Sequence, residues 1–238
     1  MDRRHVLSSA IGVTLAAAAK APRAQQPPTG ATAVAPRIDF LVDPRRTAFL
    51  NVDMQNCFVE GYPVSAPEGP ALLRRLNGFA ATCRAAGVQV IHTAHVLRSN
   101  GSNAGLLKQL PEVDGGMLSR GSHSAALHKD LVVAPEDIML EKPRFGAFQG
   151  TDLEMILHTA GIDTVVVGGI ATNVCCETTA REAAMRDFKM LFLSDGTATF
   201  DMGPVSAAQI QAATCATLRL FGQVLTLDEM TGKLRARS

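Results

Sequence analysis

The run Thr164-Val165-Val166-Val167-Gly168 constrains the fold most, because it shows no alternation of apolar and polar side chains. A strand with one wet face alternates. A strand that is apolar throughout is covered on both faces, as in a parallel sheet held between two layers of helix. Thr47 to Val52, Val88 to His92, Ile138 to Lys142 and Met190 to Leu193 read as strands in the same way, and Val224 to Thr226 as a short last one. Helical stretches lie between them. Pro70 to Ala86 carries Leu72, Leu73, Leu76, Phe79, Ala80 and Cys83 at helical spacing, and Gly87 ends it. Thr151 to Ala160, Asn173 to Arg186 and Val205 to Phe221 also read as helices. The class is α/β: a three-layer, open, mostly parallel six-stranded sheet with helices on both faces.

The chain has 238 residues, of which 47% are apolar and 19% charged, enough to bury a sizeable core in one domain. There is no Trp and a single Tyr, so an aromatic pocket must be built from Phe. The N-terminus stands apart. Arg3-Arg4 precede Val6-Leu7, Ser8 to Ala19 carries no charge, and Lys20, Pro22 and Arg23 follow. This is the pattern of a twin-arginine export signal over residues 1–24, too short in its apolar part to span a bilayer. The expected order is signal 1–24, linker and N-terminal arm 25–46, and a catalytic domain 47–238. The expected location is periplasmic or otherwise exported, or cytoplasmic if the signal is not used. Losing Arg3, Arg4, Lys20, Arg23 and Asp2 turns the formal charge of +1 into −2. No clustered basic stripe remains for nucleic acid, and no membrane partner is expected after signal removal. The five cysteines are odd in number and fit neither a disulfide framework nor a zinc pattern, so free thiols are expected.

Ligands of open α/β sheets bind at the carboxyl ends of the strands, where strand order switches. Three chemistry-bearing residues fall there. Asp53 follows the first strand, Lys142 closes the third, and Cys175 follows Gly168-Gly169-Ile170-Ala171-Thr172 near the start of a helix. A helix N-terminus lowers a thiol's pKa, and its free amides can hold an oxyanion. A carboxylate, an ammonium and a thiol together make a proton-transfer set. Cys176 points about 100° round the helix from Cys175 and reads as core. Cys57 reads as a wall thiol, with a redox partnership to Cys175 as the alternative.

Three segments resemble the isochorismatase-like cysteine hydrolases, which include nicotinamidases, N-carbamoylsarcosine amidases, ureidoacrylate amidases and biuret hydrolases. They are Asn51-Val52-Asp53-Met54-Gln55-Asn56-Cys57-Phe58, then Glu141-Lys142-Pro143-Arg144-Phe145-Gly146-Ala147-Phe148, and Gly169 through Ala183 with Cys175 in it. The resemblance covers roughly residues 45–230. It implies a Rossmann-like hydrolase fold and an Asp53-Lys142-Cys175 triad. It also implies a cis peptide between Ile170 and Ala171, with the Ala171 and Cys175 N–H groups as oxyanion hole. The implied reaction is hydrolysis of an amide, ureido or carbamoyl bond of a small molecule through a thioester. Homo-oligomers are usual in the family. Nicotinamidases bind a metal through an Asp-x-His pair after the second strand. Here His92-Thr93-Ala94-His95 has no acid in that place, so neither metal nor cofactor is expected. Phe58, His95, Phe145 and Phe148 are pocket candidates, and Arg98 or Arg144 candidates for a substrate carboxylate. The competing readings are a vinyl-ether-cleaving isochorismatase and a non-catalytic binding subunit.

Overall fold

The computed structural model describes residues 38–235. The expected export signal, and the expected linker as far as residue 37, lie outside the described residues. A 3₁₀ turn, Pro44–Arg46, leads into β1 (Thr47–Val52). Then come α1 (Asn56–Val59), α2 (Gly69–Ala86), β2 (Gln89–His95), α3 (Pro111–Asp114), β3 (Ile138–Lys142) and α4 (Leu153–Thr159). The second half holds β4 (Thr164–Ile170), α5 (Glu177–Ala184), β5 (Lys189–Ala198), α6 (Ala207–Leu218), β6 (Gln223–Leu225) and α7 (Leu227–Arg235).

The sheet runs β3-β2-β1-β4-β5-β6, and every pairing is parallel. The order switches between β1 and β4, which lie side by side with Ala48 opposite Val165 and Leu50 opposite Val167. The pleat sends alternate residues to opposite faces. Phe49, Val90, Val166 and Leu191 join Leu72, Leu76 and Phe79 of α2 and Met230 of α7 in one core layer. Ala48, Leu50, Ile91, Val165 and Val167 join Leu153, Leu157, Ala180 and Leu218 of α4, α5 and α6 in the other. Each fully buried Leu, Val or Phe contributes about 1.5–3 kcal/mol.

Local chemistry sets the element ends. Gly87, at φ 84°, closes α2, and the Val88 N–H reaches back to the Cys83 carbonyl at 2.9 Å. Ser206 and Gln209 form a reciprocal capping box on α6. Part of the expected arm is packed on the domain: Val42 is buried, and Asp39 accepts from Gln223 at 2.8 Å and Lys233 at 2.9 Å. α7 was not expected from the sequence. Its Met230 and Leu234 are fully buried in the same core layer as α2, so it helps to cover that face of the sheet.

Candidate active site

The carboxyl ends of β1, β3 and β4 meet at the switch point. Leaving β1, Asp53 takes the left-handed conformation, φ 53°, which Asp tolerates better than most residues. The turn lets its N–H reach Thr93 on β2, whose hydroxyl donates to Asp53 Oδ1 at 2.6 Å. The other oxygen, Oδ2, lies 2.7 Å from Lys142 Nζ, and both side chains are wholly buried. Lys142 reaches there from β3, across β2. Its remaining protons go to the carbonyls of Arg144 at 3.0 Å and Phe145 at 2.8 Å. The three donors of an ammonium are thereby engaged. Burial pulls the Lys142 pKa down, but the Asp53 carboxylate against it works the other way and the net direction is up.

Cys175 arrives from β4. Gly169 takes φ 130°, and any Cβ there would run into the backbone of Val52, so only glycine lets the two strand ends lie this close. The Ile170–Ala171 peptide is cis. A turn of π-helix, Thr172–Cys176, follows, with the Cys176 N–H on the Ala171 carbonyl at 3.1 Å. The Cys175 sulfur comes within hydrogen-bonding reach of Asp53 and Lys142. The expected lowering of the thiol pKa does not occur. Burial pushes it up, Lys142 opposes, and Asp53 adds to the rise. The resting sulfur keeps its proton because a low-dielectric site disfavours a second anion beside a carboxylate.

Loop 143–148, which seats Lys142, is pinned by α5. Ala147 N–H donates to Thr179 Oγ1 at 3.1 Å and Phe148 N–H to Glu182 Oε2 at 3.1 Å. A Cβ on Gly146 would fall on the Glu182 carboxylate. Gln55, fully buried, accepts from the His95 N–H at 2.7 Å and donates to the carbonyls of His95 and Ala125. The sequence reading passed over Thr93, Glu182 and Gln55. Gln55 and Glu182 stand inside the quoted segments, and strand register would have brought Thr93 beside Asp53.

A cavity of about 100 Å³ opens over the sulfur, lined by Phe58, His95, Phe145, Ala171, Val174 and Cys175 among others. Leu110, Glu112, Val113, Met117 and Leu118 form another part of its wall, a segment the sequence reading left without a role. Of the other pocket candidates, Phe148 lies in the core, its ring 5.8 Å from that of Phe188. Arg98 lines a neighbouring polar hollow with Asn100 and Lys108. Arg144 donates to the carbonyls of Asn103 at 2.8 Å and Pro143 at 2.6 Å. Cys57 is buried among Leu97, Ala104 and Leu118, its pKa pushed up to about 12 by burial and by Asp53. Cys176 lies in the core.

An oxygen of Asp53, a ring nitrogen of His95 and the Cys175 sulfur lie within 4.8 Å of one another, a spacing that could admit a metal ion. Lys142 already sets a cation 2.7 Å from that carboxylate, so the set suits an ammonium better than a divalent ion.

A family model for the isochorismatase domain matches residues 47–229. The chain belongs to the isochorismatase-like cysteine hydrolases. Relatives in this family include a ureidoacrylate amidohydrolase of Agrobacterium fabrum, 30% identical over 79% of this chain and 90% of its own length. The ureidoacrylate amidohydrolase of Methylobacterium radiotolerans is 34% identical over 77% of each chain. Among solved structures, a cysteine hydrolase from Pseudomonas syringae pv. phaseolicola superposes with a TM-score of 0.79 at 32% identity, covering 85% of this chain and 99% of that one. An isochorismatase family protein from Desulfovibrio vulgaris gives a TM-score of 0.71 at 27% identity, covering 80% and 99%. The chain is thus a hydrolase by family, and its sheet, expected to be mostly parallel, is parallel throughout.

Proposed function

We propose that this amidohydrolase of the isochorismatase family cleaves a carbon–nitrogen bond of a small amide, ureide or carbamoyl compound through a thioester on Cys175. The observation that carries the reading is the meeting of Asp53, Lys142 and Cys175 in one buried cluster beneath a small cavity. Asp53 takes the Cys175 proton as the sulfur attacks the carbonyl carbon. A thiol whose pKa is raised by burial needs such a base within contact. The Lys142 ammonium beside the sulfur stabilises the thiolate. The N–H groups of Ala171 and Cys175 are the proposed oxyanion donors. Asp53 returns the proton to the departing nitrogen as the C–N bond breaks. Water then adds to the thioester, Asp53 accepts its proton, and the sulfur leaves and is reprotonated. The products are an acid, or a carbamic acid from a ureide, and ammonia or an amine.

The size of the cavity favours a compact substrate. About 100 Å³ is below the ~300–1,000 Å³ of sites for drug-sized ligands. Export by the twin-arginine route and assembly into homo-oligomers remain part of the proposal, the first resting on residues 1–24 and the second on the family. Ammonia release from a panel of small amides, ureides and carbamoyl compounds tests the reading. Turnover of at least one member is expected, with loss in Cys175→Ala. Full turnover by that variant would refute the thiol mechanism.

A further inference from the structure

We infer that the cavity over Cys175 selects an uncharged ligand carrying an N–H donor, recognised by His95, and rejects a carboxylate. This deepens the proposed amidohydrolase reading and rests on it. Three observations carry it.

The first is His95. Its side chain is fully buried, lines the cavity, and neither ring nitrogen makes a well-formed hydrogen bond among the described residues. Its backbone, in contrast, is held on both sides by Gln55. The ring is therefore fixed in place with at least one nitrogen left open among the described residues. A buried polar atom left open calls for an explanation, and here the cavity beside it supplies one. The ring is neutral: burial and the nearby Lys142 ammonium hold its pKa down at about 3. The Pro143 carbonyl lies beside the ring. It attracts the ring N–H and leaves the other nitrogen a lone-pair acceptor. An acceptor of this kind takes an N–H from the ligand and offers nothing to a carboxylate.

The second observation is the charge of the wall. Among the described residues that line the cavity, none is Lys or Arg, and Glu112 contributes a negative charge. Arg144 is tied to backbone carbonyls, Arg98 faces another hollow, and Lys142 is engaged by Asp53 and two carbonyls. A carboxylate entering here would lose its water and find no cation to replace it.

The third is that the rest of the wall is apolar, from Phe58, Phe145, Val174, Leu110 and Leu118. Such a wall accepts an uncharged group without penalty and magnifies the cost of an anion.

The isosteric pair 3-ureidoacrylate and 3-ureidoacrylamide differs only in a carboxylate against a carboxamide. The shorter pair N-carbamoylglycine and its amide repeats the contrast at smaller size. Calorimetric titration of the Cys175→Ala chain with each compound separates binding from turnover. Cys175→Ser serves if the alanine variant does not fold. The amide of at least one pair is expected to bind about 10- to 100-fold more tightly than its acid. His95→Leu in the same background is expected to weaken the amide about 10-fold and to leave the acid, already disfavoured by the apolar wall, little changed, with the thermal midpoint confirming a folded chain. An acid that binds as well as its amide in both pairs, an amide affinity unchanged by His95→Leu, or no binding by either amide would overturn the inference. Ammonia release by the wild-type chain is read separately. An amide that binds with His95-dependent preference but is never hydrolysed would refute the hydrolytic reading and leave the recognition standing.

Discussion

His92 and His95 are both fully buried on β2, three residues apart, and their surroundings are opposite. His92 is satisfied on both sides. Its Nδ1 meets Asn51 at 3.2 Å and its Nε2 meets Asp137 at 3.0 Å. Asp137 in turn takes a two-point grip from Arg84, at 2.9 and 2.6 Å, and an N–H from Ala134 at 2.8 Å. Among the described residues His95 has no ring hydrogen bond of that quality, only the Pro143 carbonyl nearby, and it lines the cavity with Cys175. Two residues of one type on one strand thus divide the labour. A polar group with every bond made in the native chain holds the fold. A polar group left open, at the carboxyl edge of the sheet, is the one the proposed recognition uses.

If this contrast is right, charges at the two places respond differently to removal. The largest effect belongs to the site. Asp53→Asn combined with Lys142→Met removes both members of the buried pair. It is expected to lower kcat at least ~10³-fold, because base and cation are lost together. The thermal midpoint should hold or rise, since replacing a whole buried ion pair is often neutral or stabilising by about 1–4 kcal/mol. A lower midpoint with retained turnover would break the comparison from the catalytic side.

Asp137→Asn is the converse. It removes the negative charge that Arg84 and His92 share, sets an NH2 donor where one acceptor oxygen stood, and is expected to cost about 3 kcal/mol in denaturant unfolding. Activity per folded molecule should stay within about twofold. A variant of full stability would show that the His92 cluster is not the structural member.

Thr93→Val sits between the two regions. It removes the hydroxyl that holds Asp53 Oδ1 at 2.6 Å and should reduce kcat roughly 10- to 100-fold with little change in KM. Because Thr93 acts through Asp53, adding Thr93→Val to Asp53→Asn should lower kcat no further than Asp53→Asn alone. Fully additive losses would leave Thr93 a purely structural neighbour.

The smallest effect is on stability against pH. His95 has a folded pKa of about 3, below its unfolded value near 6.5. Between those values the unfolded chain binds the proton and the folded chain does not. Stability from this group is therefore complete above about pH 6.5 and is lost as pH falls toward 3. From pH 6.5 to 5.5 the loss should be about 1 kcal/mol and should be absent in His95→Gln, as read by thermal midpoints at each pH. An equal slope in both proteins would place His95 in water.

Most of the frame was legible in the sequence. Five apolar runs and their helical partners foretold the sheet, because burial on both faces leaves a strand no freedom to alternate. Asp53, Lys142 and Cys175 were legible because each stands where a strand ends. What the sequence concealed depends on neighbours that only register brings together. Thr93 is an ordinary strand threonine until β2 lies beside β1. The same holds for Glu182, which reads as a surface acid of α5 until loop 143–148 folds onto it. Arg98 and Arg144 were natural candidates for a carboxylate by type and proximity. The chain instead turns one into another hollow and ties the other to carbonyls. The expected low thiol pKa failed for a related reason: the rule of helix N-termini omits how deeply the sulfur is buried beside an acid.

The central claim is that the Cys175 sulfur forms a covalent bond to the substrate carbon. Acid quenching during turnover of any hydrolysed amide or ureide, followed by peptide mass analysis, tests it directly. The expected result is an acyl or carbamoyl adduct on the peptide carrying Cys175, absent from Cys175→Ala, which should not turn over. An adduct on another residue, or undiminished turnover by Cys175→Ala, would contradict it.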